Sequence, residues 1–225
     1  MTDTALLTGF EPYGGRSLNP SAQLAAALDG AEIGGLRVVG RTSPVSIAGL
    51  SERIDAWLDD LRPALVIALG LWPGEPMIRL ERYAVNLADF EIADNSGTRL
   101  SDASVPAGDA TALASTLPLR AIEHALLADG IPARLSNTAG TYLCNATLYG
   151  LLRAIRKRGL DVPCGFIHLP YLPAQVAGML SEARAGHLEI NQRADLASMD
   201  YKVMERALRL AIGVTAAELQ KPSTR

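Results

Sequence analysis

Apolar and polar positions alternate in blocks along the chain, and short continuous apolar runs are followed by stretches with helical spacing. The apolar runs predict strands at residues 4–9, 36–42, 65–69, 134–136 and 166–170. The intervening amphipathic stretches predict helices at residues 20–28, 51–61, 117–127, 142–158, 174–180 and 198–212. Residues 79–90 alternate more strictly, which favours strand material at the margin of a sheet.

This order of elements predicts an α/β fold, because strands that alternate with helices usually form a parallel sheet. We expect a three-layer sandwich of the phosphorylase/hydrolase-like kind, with a mostly parallel central sheet and helices on both faces. The chain has 225 residues, 48% of them hydrophobic, which is enough to bury one substantial core. A single domain over residues 1–225 is therefore the simplest division.

Charge and hydropathy exclude several classes of partner. The formal net charge is only −3 and the basic residues are scattered, so the sequence predicts no binding of nucleic acid. Apolar runs stay well below the roughly 20 residues of a membrane span, and the first residues lack the basic stretch of a secretory signal. We therefore expect no membrane partner and a cytoplasmic location.

Cysteine and histidine usage is sparse. The two cysteines, Cys144 and Cys164, are expected to be free thiols in a reducing compartment, with Cys164 as a small buried hydrophobe. The three histidines, His124, His168 and His187, lack the spacing of a zinc site. The sequence thus predicts no metal and no cofactor.

Cys144 lies where a glycine-bearing turn at residues 137–141 runs into an apolar helix. With Thr141 as N-cap, Cys144 is residue N3, beside the unpaired N–H groups and positive end of the helix dipole. This setting predicts a lowered thiol pKa and a nucleophilic thiolate. The alternative is a cysteine that only packs in the core, which is common for free cysteines.

His168 closes a short apolar run, so it is a candidate base at the end of a buried strand. In open α/β sheets, ligands bind beyond the carboxyl ends of strands, and both the Cys144 turn and His168 are expected at such ends. The loop at residues 10–19 also follows a strand and is expected to overhang the same crevice. A structural histidine remains the alternative for His168.

Four segments carry a more specific signal. The runs around the loop, the central strand, the cysteine and the histidine read LLTGFEPYGGRSLNPS, LERYAVN, SNTAGTYLCNATLYG and GFIHLPYLPAQ. In this order and at this spacing, they resemble the pyroglutamyl-peptidase I (pyrrolidone-carboxylate peptidase) family over nearly the whole chain. The resemblance implies a thiol exopeptidase that hydrolyses the amide bond after an N-terminal pyroglutamyl residue through a thioester acyl-enzyme. It also implies a homo-oligomer.

The resemblance assigns roles residue by residue. Cys144 is the implied nucleophile, His168 the general base and acid, and Glu81 the carboxylate that orients the histidine. An apolar and aromatic pocket for the uncharged lactam is implied at Phe10, Tyr13, Tyr142 and Leu143, with Asn19 helping to orient the substrate.

Two positions depart from the family pattern and mark the chain as a divergent member. Leu71 stands where the family has a glutamine, and Glu91 stands where it has an arginine. A carboxylate at position 91 would oppose an oxyanion unless it faced solvent or paired with Arg79, Arg82 or Arg99.

Three alternatives therefore stay open. The chain could be a cysteine amidohydrolase of altered acyl specificity, or a binding or regulatory relative without catalysis. A nucleoside-cleaving or phosphorylase-type enzyme of similar architecture is the third, and it would not need the thiol of Cys144.

Overall fold

The protein is described by a computed structural model covering residues 3–105, 110–187 and 196–221. Its strands, in chain order, are β1 (Thr4–Phe10), β2 (Glu32–Ile33), β3 (Leu36–Ser43), β4 (Leu65–Leu71), β5 (Ile78–Glu81), β6 (Tyr83–Val85), β7 (Ala112–Ala114), β8 (Ala133–Ser136) and β9 (Cys164–Leu169). Seven of them form one sheet in the order β2-β3-β1-β4-β9-β5-β8. The mostly parallel α/β sheet predicted from the sequence is confirmed.

The helices are α1 (Pro20–Leu28), α2 (Leu50–Leu61), α3 (Leu119–Ala128), α4 (Leu143–Lys157), α5 (Pro173–Glu182) and α6 (Tyr201–Leu219), and a π-helical turn (Ala183–His187) follows α5. α1 has the predicted bounds, because the Asn19 side chain accepts from the Ser21 N–H and Pro20 fits the first position. The last helix begins after the Asp200 cap, three residues later than predicted, and runs seven residues further.

Two hydrophobic clusters cover the two faces of the sheet. On one face, α1, α3 and α6 bury side chains such as Leu24, Ile122 and Leu208. On the other face, α2 and α4 bury Ile54 and Leu148 among others. Helices on both faces give the predicted three-layer arrangement, and α4 places the catalytic candidate Cys144 on the second face.

The prediction that residues 79–90 lie at a sheet margin is wrong for their first part. β5 lies inside the main sheet, between β9 and β8, and its four residues are all buried. Burial of charged Arg79 and Glu81 is possible because their side chains pair at 3.1 Å. β6 belongs to a separate two-stranded sheet with β7. The short strands β2 and β7 carry no clear pattern in the sequence.

β2, β5 and β8 run opposite to the other four strands of the main sheet. β5 is antiparallel to β9 and parallel to β8, whereas β1, β3, β4 and β9 are mutually parallel. The carboxyl ends of β8 and β9 therefore point in opposite directions. This corrects the expectation that shared carboxyl ends bring the Cys144 turn and His168 together; they meet over the face of the sheet instead.

Among the described residues, none of the helices combines the length and the apolar character needed to cross a bilayer.

Candidate active site

Cys144 lies in the first turn of α4, but one position earlier than predicted. The N-cap is Tyr142, in extended conformation, so Cys144 is residue N2 rather than N3. Gly140, with φ of 78°, turns the chain from β8 into this helix, a conformation that favours glycine. The helix start lies against the sheet so closely that a Cβ added at Gly70 of β4 would be 2.8 Å from the Cys144 Sγ.

His168 lies beside Gly70 in the neighbouring strand, which brings it to the same pocket as Cys144. Its side chain is 1% exposed, and Nδ1 lies 2.8 Å from Oε1 of Glu81, whose side chain is fully buried. Glu81 pairs in register with Phe166, so it reaches His168 diagonally on the same face of the sheet. Because Glu81 holds Nδ1, the free Nε2 is left to act on the thiol or substrate.

Burial raises the pKa of Cys144, whereas the helix start is expected to lower it. Removal from water, with a smaller contribution from the nearby Glu81 carboxylate, raises the pKa of the Cys144 thiol to about 12. The N–H of Cys144 itself lowers the pKa, as expected at a helix start, but this contribution is smaller still. Burial therefore opposes the thiolate that the helix start predicts and favours the neutral thiol at rest.

His168 is affected in the opposite direction, because burial disfavours its charged form. Desolvation lowers the pKa of His168 below its ordinary 6.5, and the hydrogen bond to Glu81 only partly offsets this. The imidazole is thus neutral near pH 7. A neutral imidazole beside a thiol can accept the thiol proton when the nucleophile attacks, which is general-base catalysis.

A pocket of about 330 Å³ contains both Cys144 and His168. Its walls are mostly apolar or aromatic, with two carboxylates; the other lining residues are Tyr13, Leu71, Trp72, Pro73, Asp89, Glu91, Ile92, Ala139, Gly140, Thr141 and Tyr142. Burial raises the pKa values of Tyr13 and Tyr142, so both remain neutral phenols. The pocket suits a small, uncharged and partly apolar group.

Of the predicted pocket residues, Tyr13 and Tyr142 line the cavity, whereas the other three have supporting positions. Phe10 and Leu143 are buried in the hydrophobic cluster beneath the pocket. The Asn19 side chain caps α1 and donates to the carbonyl of Glu11, which fixes the loop that carries Tyr13. These three residues are not among those that line the cavity.

The two departures from the family pattern both face the pocket. Leu71, at the end of β4, is 6% exposed and lies in the wall with Trp72 and Pro73. Glu91 is exposed to solvent. The three arginines considered as partners for it are engaged elsewhere: Arg79 with Glu75 and Glu81, Arg82 with Asn137, and Arg99 with the carbonyl of Phe90.

Sequence reasoning missed the role of Arg79, which lies two residues before Glu81 in β5. Residues i and i+2 of a strand share a face, so this spacing was a signal that the two side chains could pair. Glu75, Arg79 and Arg134 form further ion pairs behind the pocket.

The remaining cysteine and histidines lie away from the pocket. Cys164 is a buried free thiol in β9, and His124 is exposed on α3. The side chain of His187 lies outside what the structure describes. Within the described residues, no group of three or more histidine, cysteine, aspartate or glutamate side chains has an arrangement that could hold a metal ion.

The chain is similar to known proteins over nearly its whole length. The family model for pyroglutamyl peptidase matches residues 3–218. Pyrrolidone-carboxylate peptidase 1 of Ralstonia nicotianae is 44% identical, over 82% of this chain and 86% of its own. The pyrrolidone-carboxylate peptidase of Pyrococcus furiosus is 38% identical, over 95% of this chain and 98% of its own.

Solved structures agree as well. The structure of a mutant pyrrolidone carboxyl peptidase from Pyrococcus furiosus superposes with a TM-score of 0.88 at 38% identity. The match covers 96% of this chain and 99% of that one. Since the family model spans nearly the whole chain, this protein belongs to the pyroglutamyl peptidase family.

Proposed function

We propose that Cys144, His168 and Glu81 are the catalytic residues with which this pyroglutamyl peptidase hydrolyses the amide bond after an N-terminal pyroglutamyl residue. The observation that carries this proposal is the buried 2.8 Å contact between His168 and Glu81 in a pocket that also contains Cys144. Nucleophile, base and orienting carboxylate are the three parts that acyl transfer by a thiol requires.

Acylation begins with the Cys144 thiol and the His168 imidazole both uncharged. His168 Nε2 takes the proton from the Cys144 Sγ as the sulfur attacks the amide carbonyl carbon, and the carbonyl oxygen becomes an oxyanion. The N–H groups in the first turn of α4 have no acceptor within the helix, so they can donate to this oxygen. The imidazolium, stabilised by Glu81, then protonates the departing amine, and the amide bond breaks to leave a thioester.

Deacylation uses the same residues, with water as the attacking group and the Cys144 sulfur as the leaving group. The neutral His168 takes a proton from water, and the resulting hydroxide attacks the thioester carbonyl. Collapse of the second tetrahedral intermediate releases pyroglutamate and returns the proton to the sulfur. No external cofactor takes part in this sequence of bonds made and broken.

The pocket walls support recognition of a lactam. A pyroglutamyl ring is small and uncharged, and it would replace water against Tyr13, Trp72 and Tyr142. The rings of Tyr13 and Tyr142 are 6.1 Å apart, and Phe90 packs edge-on against Tyr142 at 4.8 Å. This packing pre-forms one wall of the pocket.

A second candidate function is a cysteine amidohydrolase of altered acyl specificity. It is favoured by Leu71 and Glu91, which both line the pocket and both depart from the family pattern. Leu71 makes part of the wall apolar, and Glu91 adds an exposed carboxylate. Polar groups on the acyl moiety therefore find different contacts here than they would with the glutamine and arginine of the family pattern.

The decisive experiment is release of a fluorogenic amine from an L-pyroglutamyl amide. We expect the native protein to be active and Cys144→Ser to lose activity by at least about 1,000-fold, since the thiol is the nucleophile. Cys164→Ser is the matched control, because Cys164 is the other free cysteine and lies away from the pocket. Activity with prolyl or acetyl amides and none with the pyroglutamyl amide would establish the second candidate instead.

We also propose a cytoplasmic homo-oligomer. Two free thiols suit a reducing compartment, and the family resemblance supports self-association. Sedimentation velocity at micromolar concentration tests the oligomeric state, and a single monomer species would contradict it.

A further inference from the structure

One buried guanidinium connects two parts of the site that are far apart in the sequence. Arg79 in β5 is 7% exposed and donates from all three of its nitrogens. Nε donates to Glu81 Oε1 at 3.1 Å, and Nη1 lies 3.3 Å from Glu75 Oε2. Nη2 donates to the Ser136 Oγ at 2.6 Å and to the Thr138 carbonyl at 2.9 Å.

These acceptors belong to two parts of the proposed site, the Glu81–His168 pair and the turn before Cys144. Glu81 is the carboxylate that holds His168, and its Oε1 takes both that contact and the Arg79 bond. Its Oε2 has no hydrogen-bond partner among the described residues. Thr138 lies in the turn that leads from β8 to Cys144. Arg79 therefore fixes the distance between the histidine–carboxylate pair and the turn before the nucleophile.

Trp72 holds the guanidinium from the pocket side. The Arg79 Cζ lies 3.7 Å from the centroid of the Trp72 ring, a cation–π contact. The same indole packs edge-on against His168, with ring centroids 4.9 Å apart. A Cβ added at Gly140 would be 3.5 Å from this ring, so Trp72 also borders the turn before Cys144.

We propose that Arg79 is a positioning residue, which aligns Glu81 and hence His168 with the Cys144 turn without touching the substrate. This inference rests on the proposed catalytic function. Arginine suits the position because its planar fork presents five N–H donors at fixed angles, whereas a lysine presents one compact charge. Lysine at this site keeps the charge but cannot reach both Glu81 and Thr138.

The test compares Arg79→Lys, Arg79→Gln and the double variant Arg79→Gln/Glu75→Gln with the native enzyme. The double variant removes one charge of each sign, so the net charge of the buried cluster stays that of the native protein. Arg134→Gln is the matched control, because Arg134 also pairs with Glu75, at 2.6 Å, but is half-exposed and bonds neither Glu81 nor the turn. Circular dichroism verifies the fold of each variant.

We expect kcat on the pyroglutamyl amide to fall about 10- to 100-fold in Arg79→Lys and in the double variant, because small displacements of catalytic groups have effects of this size. KM should change by less than about threefold, since Arg79 makes no uniform binding contact. In Arg79→Gln, the acid limb of kcat should move to higher pH, because the Arg79 charge helps to lower the pKa of His168.

The control separates this inference from the proposed function. Activity in the native enzyme and in Arg134→Gln establishes the peptidase, whatever Arg79 does. Native kcat in Arg79→Lys or in the folded double variant would overturn the positioning role. An equal loss in Arg134→Gln would also overturn it, because the effect would then come from the charge network as a whole.

Discussion

At the residue scale, burial affects the protonation of Cys144, the proposed nucleophile, and of His168, its proposed base. It raises the pKa of Cys144 and lowers that of His168, so it favours the neutral form of both groups. This differs from a resting thiolate–imidazolium pair, in which the helix dipole and the positive histidine keep the sulfur ionised. The pocket therefore favours proton transfer during attack over a preformed ion pair.

The pH dependence of the reaction follows from the lowered pKa of His168. His168 must be neutral to act as base, and its pKa is lowered, so kcat/KM should fall only as the pH drops through a value below 6.5. Steady-state assays between about pH 4 and pH 10 would measure this limb. A midpoint clearly above 6.5 would contradict the lowered pKa of His168.

The reactivity of Cys144 gives a second prediction. Because its pKa is raised, the rate constant for alkylation by iodoacetamide should keep rising beyond about pH 9 in the absence of substrate. Labelling rates followed by mass spectrometry would test this, with peptide mapping to separate Cys144 from Cys164. A plateau reached near neutral pH would show a stable thiolate and contradict the prediction.

Gly70 is a position where the absence of a side chain matters. A methyl group there would meet the Cys144 Sγ at 2.8 Å and the Phe166 ring at 2.9 Å. Gly70→Ala should therefore displace the nucleophile and lower kcat/KM by about 100-fold. Gly178→Ala in α5 is the control, since nothing lies within 4 Å of the added methyl. Equal activity of the two variants would show that the sulfur has room to move.

At the element scale, the start of α4 is held by a buried amide. Asn145, directly after the nucleophile, is fully buried; its side chain accepts from the Val85 N–H and donates to the carbonyls of Val85 and Leu87. These bonds fasten the first turn of α4 to β6 and to the chain that follows it. The position of Cys144 thus depends on a contact 60 residues away in sequence.

Asn145→Ala tests this attachment. It leaves partly buried backbone groups of Val85 and Leu87 without their side-chain partner, so the free energy of unfolding should fall by about 1–3 kcal/mol. Urea denaturation would measure the change. Asn137→Ala is the control, since Asn137 is exposed and its side-chain contact to Arg82 is long at 3.4 Å. A similar loss in both variants would count against a specific role for the Asn145 amide.

At the scale of the whole molecule, the sheet separates the face with the proposed catalytic residues from the face that packs against α1, α3 and α6. Cys144, Phe166 and the pocket lie with α2 and α4, whereas α6 packs against the opposite cluster. Changes in the α6 core should consequently alter the free energy of unfolding without altering catalysis by the folded enzyme.

Leu208→Ala makes that separation measurable. Leu208 is fully buried in α6, and its truncation should lower the free energy of unfolding by about 2–5 kcal/mol. In assays at room temperature, kcat/KM should stay within about twofold of the native value, provided the protein remains folded. Leu219→Ala, at an exposed position of the same helix, should change stability by less than about 0.5 kcal/mol. A large fall in kcat/KM for folded Leu208→Ala would show coupling between the faces.

The sequence by itself determined the alternation of elements, the helix that starts beside Cys144 and the motifs that identify the family. These features are local: apolar spacing, the Asn19 cap with Pro20, and short runs of residues around the cysteine and the histidine. Local patterns suffice because each depends on neighbouring residues along one helix or strand.

Only the tertiary structure decided how the parts meet. The reversal of β5 and β8, the burial of Glu81 and the sign of the pKa change at Cys144 all depend on residues distant in sequence. A charged residue such as Arg79 is expected at the surface until its partners are known, and those partners come from β5, β8 and the following turn. Desolvation and pairing act through space, and so the chain order alone does not reveal them.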